Sequence, residues 1–155
     1  MTADTTYVDR NRRETERLRA LVEGVSDEAL RRLVHGTWTV AAVLGHMAFW
    51  DARALWLAGK IERGEPFTAA DVEPEDVTWI NDAAATLIDA IAPREAAKLA
   101  LRLAQAIDAR IAALPPTRLW PNDPHSLLNA FRAEHRAEHL DEIETALSGD
   151  GPGQA

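Results

Sequence analysis

Apolar residues return along this chain at intervals of three and four rather than two, a pattern that predicts helices almost throughout. Val8, Thr15, Leu18 and Val22 share one face of a first helix from about Thr6 to Val22, with Gly24 placed to end it. Ser26, followed by Asp27 and Glu28, reads as a cap on a short turn through Leu33. Thr39 caps a far more apolar helix, Val40 to Ile61, where Val43, Met47, Trp50, Ala54, Leu57 and Ile61 recur at helical spacing. Gly64, Pro66 and the acidic stretch Asp71 to Asp76 form a solvated connection. Helix resumes near Val77, with Ile80, Ala84, Leu87, Ile88 and Ile91 on its apolar side, until Pro93 breaks or restarts it. The restart carries Leu99, Leu103, Ile107, Ile111 and Leu114 and stops at Pro115 and Pro116. Asp123 reads as the N-cap of a last helix with Pro124 at its first position, running to about Leu147. Gly149, Gly151, Pro152 and Gly153 make a frayed tail. No convincing strand emerges. Four substantial amphipathic segments predict a single all-α domain over residues 1–155, ordered from about 6 to 148, folded as an up-down-up-down four-helix bundle.

Composition narrows the chemistry. The 155 residues, 46% apolar, suffice for one core and not comfortably for two. With 17 basic against 25 acidic side chains the formal net charge is -8, so the chain repels phosphate backbones and anionic lipid, and no nucleic-acid or membrane partner is expected. The first residues lack an apolar signal-like core, which points to the cytoplasm. The apolar run Val40 to Ile61 carries His46, Asp51 and Arg53 near its middle. Each such charge costs roughly 2.5 to 3.5 kcal/mol at mid-membrane, so the run reads as a buried helix. There is no Cys, which removes disulfides, thiolate nucleophiles and Cys-ligated metal, and leaves His, Asp or Glu to hold any ion. Motifs for nucleotide binding or serine hydrolysis are absent.

The remaining signal is histidine. His135 and His139 are four residues apart, hence one helical turn apart and pointing the same way. Stepping from Leu128 to Phe131, His135, His139 and Ala146 places both at the centre of the last helix's apolar stripe. His46, one turn before Trp50, can look into the same interior. Buried imidazoles without charged partners stay neutral, the form a borderline cation binds. On spacing alone the pair is a weak motif, and core histidines satisfied by their neighbours are an equal reading. His35 lies at a loop and His125 in a first helical turn where its protonated form would oppose the helix dipole, so neither is favoured as a ligand. Trp50 is the best candidate to wall a pocket beside the site, and Asn81 either faces the site or caps a helix.

Trp38-Thr39-Val40, then Val43-Leu44 and His46, resembles the start of the second helix in the DinB-like family, and Phe131 to Glu144 resembles that family's last-helix signature with its paired His. The resemblance runs from about Tyr7 to Leu147. It implies a bundle that binds a divalent metal through His46, His135 and His139; three imidazoles suit zinc, nickel, iron and copper alike, and zinc is the default. It also implies kinship with thiol-dependent transferases and isomerases that use mycothiol, bacillithiol or glutathione, and a homodimer by family habit, for which Leu55 and Trp56 offer apolar surface. One departure is Ala42, where an acidic residue would complete a capping box with Thr39.

A three-His site with an open position is catalytic in type. The leading expectation is a metal-dependent enzyme acting on a small molecule by thiol-dependent transfer or isomerisation. His135-Arg136-Ala137-Glu138-His139 also fits an H-x-x-E-H hydrolase pattern, with Glu138 as base, although too few residues follow His139 to supply that pattern's acidic ligand. A non-catalytic metal or small-ligand binding protein is the third alternative.

Overall fold

The computed structural model describes residues 4–149, so the tail residues Gly151, Pro152 and Gly153 lie outside the described part. Side-chain caps decide where several helices begin. The α1 helix (Tyr7–Gly24) is followed by α2 (Asp27–Leu30), a single turn opened by the Ser26 hydroxyl, which accepts from the Ala29 N–H at 3.0 Å. Thr39 accepts from Ala42 N–H at 3.1 Å and starts α3 (Val40–Glu62), so the hydroxyl half of that cap survives without an acidic partner. Pro93 takes the first position of α5 (Pro93–Ala113), where a missing N–H leaves no hydrogen bond unmade.

Between α2 and α3, β1 (Leu33–His35) and β2 (Trp38–Thr39) pair antiparallel around Gly36, whose φ of 50° lies in the left-handed region. Sequence reading found no strand here, because two- and three-residue strands are too short to show alternation.

The bundle consists of α1, α3, α5 and α6 (Arg132–Leu147), with α1 and α3 each packed against both α5 and α6. One core cluster joins Leu18 and Val22 to Val40, Leu44, Ala100 and Leu140; the other joins Tyr7 to Leu57, Ile111 and Leu128. Those groupings make α1 parallel to α6 and α3 parallel to α5, the two pairs running in opposite directions. Strict alternation therefore holds only when α4 (Thr78–Ile88) is counted, and the four bundle helices themselves run up-down-down-up. The physical reason is that α4 lies outside the bundle against α3 and returns the chain to the end where α3 began. The approach is tight at Gly45, where a Cβ would collide with the Ile88 side chain. Ile88 is the buried residue of α4, whereas Leu87, placed on the apolar side by spacing, is 74% exposed.

The last helix also begins later than the sequence suggests. Asp123 does not cap a helix; its carboxylate accepts from the His125 N–H at 2.9 Å within a turn, and α6 starts at Arg132. Its capping group comes from α1. The Asn11 amide donates to Ala130 C=O at 2.7 Å and accepts from Ala133 N–H at 2.8 Å, satisfying the helix start across the bundle. Pro and Asp are turn signals as much as helix-start signals, and only the long-range Asn11 contact decides between them.

The buried stripe of α6 is Ala133, Arg136, Leu140, Ile143 and Ala146, so its centre holds an arginine and the two histidines sit on its flank toward α3. Arg136, 1% exposed, donates through Nη1 to Thr15 Oγ1 at 2.9 Å and Asp108 Oδ2 at 3.0 Å. Its Nη2 lies 2.8 Å from Asp108 Oδ1 and 3.5 Å from Asp51 Oδ2. Asp51, conspicuous as a charge in the apolar run, thus has a counterion in the core. It also takes Arg132 Nε at 3.1 Å and Nη2 at 3.0 Å on Oδ1.

Candidate metal centre

His46 projects from α3 and His135 and His139 from α6, and because these helices run antiparallel the three rings meet at one level of the bundle. One nitrogen from each lies within 4.8 Å of the others. The His135 and His139 Nε2 atoms are 3.1 Å apart. Two ligands bound at about 2.0 to 2.1 Å in tetrahedral geometry sit at about 3.3 Å from one another, so this pair already has the separation of neighbours in one coordination sphere. Ring centroids are 4.8 Å apart for His46 and His139, and 5.4 Å for His46 and His135. The structure therefore brings together the three histidines that the sequence singled out.

Burial keeps the His46 and His135 rings neutral. Desolvation, then the neighbouring His139, hold His46 down at about 4, with Glu142 pulling weakly the other way. Desolvation, then His139 and Arg132, hold His135 at about 3. An unfolded imidazole titrates near 6.5, so between that pH and the folded values the unfolded chain binds protons that the folded chain refuses. We expect the urea midpoint of the metal-free protein to be flat above pH 7 and to fall between pH 7 and pH 5. A midpoint unchanged across that interval would contradict the neutral assignment.

His139 is held from behind. Its Nδ1 is 3.0 Å from Glu142 Oε2, and the same oxygen is 3.8 Å from Nε2 of the exposed His35 in β1. The His46 ring packs edge-on against Trp38 of β2 at a centroid distance of 5.6 Å. The hairpin that sequence reading missed thus backs two of the three rings.

A cavity of about 490 Å³ opens beside the histidines, lined among others by Trp50, Arg53, Asn81, Arg132 and Glu138. Trp50 walls it as predicted, and Asn81 faces the site, accepting from Trp50 Nε1–H at 3.0 Å. A second cavity of about 250 Å³ lies against Trp38 and Thr78 and shares His46, Asn81 and His139 with the first. Of the bland readings, His125 is exposed in the connection before α6 rather than in a helical turn, while His35 stands one residue removed from the rings, behind Glu142. Sequence reasoning missed Glu142, whose only signal was its place one turn beyond His139, and Arg132, for which the sequence carried no signal.

The family model of the DinB superfamily matches residues 10–143. The chain belongs to the DinB superfamily. The matched span includes every residue of the centre, from Asn11 and His46 through His139 to Glu142. No match to the chain was found among curated proteins or among solved structures. Superfamily membership and the convergence of His46, His135 and His139 agree on a group able to hold a metal ion. Among the described residues no helix is long and apolar enough to cross a membrane.

Proposed function

We propose that this DinB-superfamily chain is a cytoplasmic metal-dependent enzyme that carries out thiol-dependent transfer or isomerisation on a small molecule. The observation that carries the reading is the meeting of three imidazoles at the wall of a cavity of about 490 Å³. The donor set suits zinc first, with nickel and iron as alternatives. His46, His135 and His139 would hold the divalent ion, which would supply the acidity that turns a thiol or water into its anion near neutral pH. The chain has no Cys, so a reacting sulfur must come from a soluble thiol such as mycothiol, bacillithiol or glutathione.

The protein's own side chains supply the rest. Trp50, fixed by Asn81, gives the cavity an aromatic wall, and Arg132, fixed by Asp51, gives it a positioned cation. Glu138 borders the same cavity and supports a second reading, a hydrolase in which it is the base. On family habit the partner, besides the substrate, is a second copy of the chain, for which Trp56, 52% exposed, is available surface.

The test is conjugate formation between each of the three thiols and monochlorobimane, with the zinc-loaded protein and its His135→Ala variant. Thiol-dependent, zinc-dependent turnover lost in the variant supports the reading. Ester hydrolysis without thiol would favour the Glu138 alternative, and zinc-dependent melting with neither activity would leave a binding protein.

A further inference from the structure

We propose that Glu142 is a positioning residue for metal binding: its carboxylate fixes the tautomer and ring orientation of His139 so that the Nε2 lone pair points at the site. The inference rests on the metal reading above and follows from the hydrogen bonds of one ring. His139 has two nitrogens, and a neutral imidazole carries a proton on one of them only. An ionised carboxylate only accepts, so with Glu142 Oε2 at 3.0 Å from Nδ1 the proton sits on Nδ1 and is donated to Glu142. Nε2 is then the lone-pair nitrogen, and it is the atom that lies 3.1 Å from His135 Nε2. Two lone pairs at that distance repel unless a proton or a cation lies between them, so the orientation that Glu142 imposes favours occupation of the space between the rings.

Position on the helix explains how this is built. Glu142 lies one turn beyond His139 on α6, where residues three apart are neighbours, so the contact holds without help from another element. His35 then approaches the same oxygen from β1 at 3.8 Å, and the Glu142 side chain is only 35% exposed. A carboxylate behind a ligating imidazole raises its basicity and removes its rotational freedom, and loss of such a partner weakens metal affinity by about 10- to 100-fold.

The experiment compares zinc affinity, by competition with a chromophoric chelator at pH 7.5, for wild type, Glu142→Ala and Glu142→Gln. Nitrogen-15 chemical shifts of the His139 ring are recorded for the same metal-free proteins. Glu142→Ala should bind zinc about 10- to 100-fold more weakly and show a mixture of His139 tautomers. Glu142→Gln, whose amide oxygen can still accept from Nδ1–H, should keep the tautomer and recover part of the affinity. Urea midpoints of the metal-free proteins should change little, which separates positioning from a merely structural role. Zinc affinity of Glu142→Ala within twofold of wild type, with the Nδ1–H tautomer retained, overturns the inference and leaves the metal reading standing. Failure of wild type itself to bind zinc, nickel or iron would overturn both.

Discussion

Replacing His135 or His46 with alanine should abolish stoichiometric zinc binding, while His125→Ala leaves it intact. Each of the first two removes one of only three nitrogens that lie within 4.8 Å of one another, and His125 is not among them. Two imidazoles on one helix remain a chelate after loss of His46, yet they lack the donor from α3 that closes the sphere. The expected fall in affinity exceeds the roughly 10- to 100-fold typical of losing an outer partner of a ligand. The check is metal content after dialysis against excess zinc, followed by competition with a chelator. Equal, negligible metal in wild type and both variants would sink the proposed function.

The second large effect is on stability. Arg136→Met should destabilise the metal-free protein by about 3 to 5 kcal/mol, the cost of breaking a buried ion pair from one side. The substitution strips Asp108 of its cation and leaves Asp51 with Arg132 alone, and Asp51 is 2% exposed. Asp108 is the more accessible acid, with 18% of its side chain exposed, so water can take up part of its charge and the loss should lie toward the lower end. Combining Arg136→Met with Asp108→Leu removes both charges and should return much of the stability, since a well-packed apolar pair often matches a buried ionic one. Urea denaturation measures both. A single variant within about 1 kcal/mol of wild type would mean that neither the ion pairs of Arg136 nor its hydrogen bonds to Thr15 and the backbone contribute net stability.

Helix existence was legible in the sequence because it rests on local periodicity: Val43 to Ile61 and Leu99 to Leu114 announce α3 and α5 without reference to the rest of the chain. What depends on distant contacts was not. The start of α6 is fixed by Asn11, more than a hundred residues away, and Asp123-Pro124 gives a local signal that the fold overrides. The direction of α5 depends on α4 leaving the bundle, which no pattern within α5 records. The histidines were legible as a trio through motif resemblance, and their spacing on α6 was read correctly. Their exact face was not: the centre of the stripe is taken by Arg136, a residue type seldom buried unless paired, and its burial depends on the counterions Asp51 and Asp108. Glu142 and Arg132 carry residue types so common on helix surfaces that only three-dimensional neighbours reveal their work.

The contact of α4 with α3 at Gly45 bears on more than packing. Gly45 immediately precedes His46, and α4 carries Asn81 into the cavity's wall about two turns before the Ile88 contact. The absent side chain lets α4 sit down on α3 next to the ligand-bearing turn. A methyl group there would push Ile88 off α3, so the seating of the helix that brings Asn81 to the cavity of the three rings depends on a residue that does not line that cavity.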